Sequence, residues 1–176
     1  MLEPVSGETW GTLFRIVAGA WLIVWVYAAL HDQFLIRFAP EHFTVYHYHI
    51  SLTQDLTLLA ILYSLGASIS PGLVFGIGLY LLGRLLARPK LSVRRILLGT
   101  LWIPVATESL ALGAGLWTWK TAIAPYPGDW YPHDAPNLMI AQSIQITLYL
   151  AGTLFCLAHL AWMGQRVLRA STLMKN

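Results

Sequence analysis

From Leu56 to Gly83 the chain runs 28 residues without a charged side chain. At about 1.5 Å of rise per helical residue, that run crosses the roughly 30 Å hydrocarbon core of a bilayer. Three more stretches have the same character: Ile16–Leu30, Ile96–Trp119 with Glu108 as its one acid, and Leu138–Trp162. A chain in lipid must satisfy its backbone polar groups internally, which helices do segment by segment. The expected fold is therefore all-α: a polytopic bundle of four transmembrane helices spanning residues 1–176 as one domain.

Composition agrees, because only 11% of the residues are charged, against roughly 25% in an ordinary soluble domain. A net charge of +3 and a pI near 9.2 would suit nucleic acid if the basic residues formed a free surface. They instead flank the apolar spans, where they orient a chain in the bilayer, so lipid is the expected partner and nucleic acid is set aside. Cys156 is the only cysteine, which excludes an intrachain disulfide, a thiolate zinc cluster and a CxxC redox pair. Glu3 and Glu8 precede the first span in place of a basic n-region, so that span is read as retained and not as a cleaved signal peptide.

Arg84, Arg88, Lys90, Arg94 and Arg95 form one basic group; Arg166, Arg169 and Lys175 form another. The positive-inside rule places both, and with them both termini, in the cytoplasm. The 31–54 segment and the 120–137 connection then share the outer side. The latter, with Pro125, Tyr126, Pro127, Trp130, Tyr131, Pro132 and Pro136, reads as an ordered loop with interfacial aromatic anchors. Ser70-Pro71-Gly72 is the ambiguous point. A turn there would make five helices, but Gly72–Arg88 is too short to span alone, so one helix continuing through Pro71 is expected. Gly72 and Gly76 form a small-xxx-small pair suited to close helix packing.

Polar residues recur inside the spans. Gln142, Gln145, Tyr149, Gly152, Cys156 and His159 follow one another at spacings of three and four, which is one face of the last helix, expected to point into the bundle. Pro104, Glu108, Ala111 and Gly115 form a similar stripe. Glu108 falls near mid-membrane, where an ionisable group is a functional candidate. Its expected partners are Tyr149, Ser70 and the carbonyl freed by Pro71, with Glu108 and Tyr149 as a buried proton-handling, catalytic pair. Gln142, Gln145 and His159 are candidates for contacting a cofactor.

Five of the six histidines (His31, His42, His47, His49 and His133) gather on the outer side in this layout, with Asp32 and Asp134 beside them. Neutral imidazole is the commonest metal ligand, and carboxylates complete or orient such sites. A nitrogen and oxygen donor set without thiolate suits copper, non-haem iron or zinc. Phe38-Ala39-Pro40-Glu41-His42 resembles the F-x-P-x-H stretch that carries a copper-ligand histidine in the C subunit of copper membrane monooxygenases. The resemblance implies His42 as a copper ligand and His31 as a second. It covers five residues, and Tyr27 stands where that family has an aspartate four residues before its first ligand histidine.

These features lead to one expectation and two alternatives. The expectation is an integral membrane protein binding copper or iron on its outer side, as a membrane oxidoreductase or part of one, together with other membrane subunits or further copies of itself. The first alternative is a non-catalytic subunit that holds a quinone, haem or pigment, or scaffolds a complex. The second is a proton-coupled carrier centred on Glu108.

Overall fold

A computed structural model describes residues 10–127 and 135–173. Helix α1 is Trp10–Phe38, followed by one turn, α2 (Pro40–Thr44), and then by α3 (Leu56–Tyr80), which continues into a π-helical segment, Leu81–Leu86. Short α4 (Val93–Leu98) leads into α5 (Trp102–Thr121), and α6 runs from Pro136 to Leu173. Four segments are long and apolar enough to cross a membrane: Trp10–Phe38, Leu56–Leu86, Val93–Thr121 and Pro136–Ala170.

Pro71 lies inside α3, and the chain does not turn back there. It lacks an N–H and so frees a carbonyl one turn earlier, a loss that tertiary packing of the same helix tolerates in lipid. That packing is the seam with α1. A Cβ on Gly72 would come within 2.8 Å of Trp21 Cα, and one on Gly76 within 2.8 Å of Val17 Cα. The glycine pair thus lets two backbones approach, as small residues do where helices meet in a membrane.

Helix α1 packs most extensively on α3, and α5 on α6; contacts between these two pairs are sparser. Gly115 closes the second seam, where an added Cβ would meet Ile144 Cγ1 at 2.5 Å. The buried core is correspondingly split. One cluster holds Leu35, Phe43, Tyr63, Ala111 and Ile144, and the other holds Ile16, Phe75, Leu79, Ile96 and Met163. Large apolar side chains such as Val26, Val74, Val105 and Leu154 are exposed on the outside of the bundle, where a bilayer would cover them.

Both connections between successive long spans 1–2 and 3–4 leave from one end of this up-down arrangement. The basic turn between spans 2 and 3 lies at the other. We call these the histidine end and the arginine end. At the histidine end Asp55 caps α3, accepting from the Leu58 N–H at 2.8 Å, which satisfies one of the donors a helix start leaves open. At the arginine end Ser92 caps α4 through the Arg95 N–H, and Leu91 is tied to Gly83 and Arg84.

One boundary differs from the sequence expectation with consequences for the site. Charge counting ends the first span at Leu30, but α1 continues to Phe38. His31 and Asp32 therefore belong to the buried face of a membrane helix, 4% and 5% exposed, and not to a water-facing connection.

Candidate functional site: a buried histidine and carboxylate centre

The centre begins with the periodicity of α1. Tyr27 and His31 are four residues apart, hence on one face of the helix, and that face meets Glu108 on α5. Tyr27 donates its hydroxyl to Glu108 Oε2 at 2.9 Å, and His31 Nδ1 lies 2.9 Å from the same oxygen. With Glu108 ionised, His31 is the Nδ1–H donor and its Nε2 carries the lone pair. The carboxylate then accepts two hydrogen bonds on one oxygen, and charge-assisted bonds of this kind are about twice as strong as neutral ones.

The partners expected for Glu108 are not those observed. Ser70 is exposed on α3, and Tyr149 receives a hydrogen bond from Gln145 Nε2 at 2.8 Å. Tyr27, absent from the sequence-based candidates, takes the place given to Tyr149. The i, i+4 relation of Tyr27 to His31 was the available signal, and it is visible only once α1 is carried past Leu30.

Beyond His31 the histidine end is aromatic and tight. His42, in α2, is 2% exposed, and neither of its ring nitrogens has a hydrogen-bond partner; His31 Nε2 is likewise buried without one. His47 Nδ1 lies 2.8 Å from the His42 carbonyl oxygen, and the two rings meet edge-on with centroids 4.7 Å apart. Tyr63 locks this loop from α3, donating to the carbonyls of Tyr48 (2.7 Å) and Phe43 (3.1 Å). Burial first, then the positive charge His47 and His31 can carry, push the His42 pKa down from 6.5 to about 3. Its imidazole is therefore neutral through the physiological range.

The other expected site residues are dispersed. His49 is exposed. His133 and Asp134, with the Trp130–Pro132 part of the aromatic loop, lie outside the described residues. Among the described residues no three His, Cys, Asp or Glu side chains form a group able to hold a metal ion. On α6, Gln145 and His159 are buried, Gln142 is half-buried, and Tyr149 remains 48% exposed. His159 sits far along α6 toward the arginine end, where Trp102 Nε1 donates to its Nδ1 at 3.3 Å.

Between the two helix pairs lies a cavity of about 290 Å³. Its wall is mainly apolar, with Val24, Pro71, Phe75 and Leu148 contributing, and its polar points include Tyr27, Thr107 and Tyr149. Thr107 Oγ1 is buried and unpartnered. Tyr27 thus lines the cavity and also bonds Glu108, so the cavity wall is joined through Tyr27 to the carboxylate that His31 holds from its other side.

No protein-family model, no curated protein and no solved structure matches the chain.

Proposed function

We propose that this integral membrane protein is a quinone-binding subunit of a larger membrane complex, with the cavity between its helix pairs as the binding site, Tyr27 and Glu108 as the groups that exchange a proton with the ligand, and His31 as the residue that holds the carboxylate. The observation that carries the reading is Tyr27 serving both the cavity wall and the Glu108 carboxylate. The cavity volume of about 290 Å³ is at the small end of ligand pockets, which run from roughly 300 to 1,000 Å³, and suits a single substituted ring with its tail directed to lipid. A hydroxyl of a bound quinol would donate to the Tyr27 oxygen, whose own proton already points to Glu108, so that carboxylate is the group placed to take up a proton from the ligand; the histidine end is oriented outward by the positive-inside rule.

The test is binding of a short-tailed quinone to the purified full-length protein, followed by quenching of tryptophan fluorescence. Saturable quenching is expected, lost in Ala28→Phe, which fills the cavity, and retained in Glu108→Gln. Folded protein that shows no saturable quenching refutes the reading.

A second reading, copper or iron at His31 and His42, is favoured by the three buried ring nitrogens that lack partners. Such groups cost roughly 1–3 kcal/mol each when left unsatisfied, which a metal ligand bond would relieve. A site of this kind needs a further donor. Metal analysis of wild type and a His31→Ala/His42→Ala variant decides it: near-stoichiometric metal that disappears with the substitutions supports the site, and metal-free wild type prepared with copper or iron present rejects it.

A further inference from the structure

A second, larger cavity lies at the arginine end, where the π-helical segment, α4, the start of α5 and α6 come together; its volume is about 740 Å³. Its lining divides by chemistry. Leu82, Ile96 and Met163 make an apolar floor, while Arg88, Arg95 and Arg166 supply three guanidinium groups, and among the described residues no aspartate or glutamate lines it. Arg88 Nη1 donates to the carbonyls of Leu85 and Ala87, both at 3.0 Å. Arg166 rests on the Trp162 ring, its Cζ 4.5 Å from the centroid. Two of the three cations are therefore held in place by local contacts with neutral groups.

We infer that this groove binds the headgroup of an anionic diacyl phospholipid, with the phosphate among the arginines and the upper acyl chain on the apolar floor. The two-part lining argues for an amphiphile of net negative charge: a soluble anion has no use for the floor, and a zwitterionic lipid brings with its phosphate a cation that three guanidiniums repel. Position agrees, because Leu86, Leu98 and Leu168 around the groove are exposed and Trp102 and Trp162 line it, the arrangement of a membrane interface. Basic pockets between transmembrane helices recognise lipid phosphates in this way, and each arginine near the surface adds roughly a fivefold preference for the anionic lipid.

The experiment compares retention of phosphatidylglycerol and phosphatidylcholine by the detergent-solubilised full-length protein, read by native mass spectrometry. Wild type is expected to retain one phosphatidylglycerol in clear preference, and Arg88→Gln/Arg95→Gln/Arg166→Gln to lose that preference by at least tenfold. Arg37→Gln, at the opposite end, should leave it unchanged. Equal retention of the two lipids, undiminished retention by the triple variant, or equal occupancy by glycerol phosphate alone would overturn the inference. If the triple variant does not fold, Arg95→Gln and Arg166→Gln singly are each expected to lower the preference about fivefold, and two unchanged values would overturn it equally.

Discussion

Acid should weaken this fold through His42, and the size of the effect follows from its surroundings. The residue is 2% exposed with no partner on either ring nitrogen, and its pKa is lowered from 6.5 to about 3 in the folded protein. A lowered pKa on a base means that the unfolded chain binds the proton more readily. Stability is therefore intact above pH 6.5 and falls as pH drops toward 3. Each pH unit in that window costs up to about 1.4 kcal/mol, so His42 alone should remove about 2 kcal/mol by pH 5. The measurement is the unfolding midpoint in mixed micelles, followed by circular dichroism from pH 8 to pH 4, for wild type and for His42→Leu. Leucine fills a similar volume, carries no titrating group and strands no polar atom, so the gap between the two curves should widen by the stated amount on acidification. Parallel curves would show that His42 is protonated as easily in the folded state as in the unfolded one, and would refute its burial as an unpartnered neutral ring.

Three further predictions concern packing and hydrogen bonding. Gly76→Leu drives a side chain into the Val17 backbone at the α1–α3 seam and should cost at least about 1–3 kcal/mol by overpacking, seen as a lower thermal midpoint. Tyr27→Phe removes one of two donors to Glu108 Oε2 and should cost about 1.5–3 kcal/mol if that carboxylate is ionised; the same unfolding assay measures it, and a change near zero would mean that the hydroxyl contributes nothing to the centre. Asp55→Ala removes the α3 cap and should cost about 1 kcal/mol, with faster amide exchange confined to the first turn of α3.

The histidine end shows where sequence reading stops. Of the five histidines grouped by topology, His31, His42 and His47 enter one buried aromatic neighbourhood while His49 faces out. Topology could assign them to a common end but not to a common pocket, because a short helix and a loop between α1 and α3 decide which rings turn inward. Glu108 was legible as an intramembrane acid, yet its partners were not: His31 is 77 residues away in the chain, and its approach depends on the rotation of α1 about its own axis.

The sequence by itself determined the membrane class, the four spans and the passage of one helix through Pro71. These follow from the length of uncharged runs and from what a bilayer demands of any backbone crossing it, which are local properties of the chain. It also marked Gly72 and Gly76 as a seam, since small residues at that spacing serve close approach whatever the partner helix. Only the tertiary structure decided which helix fills the seam, where α1 ends and what Glu108 bonds to. Helix pairing and rotation are settled by side-chain packing between segments far apart in sequence, and in lipid, where apolarity does not distinguish inside from outside, the hydrophobic pattern carries little record of them.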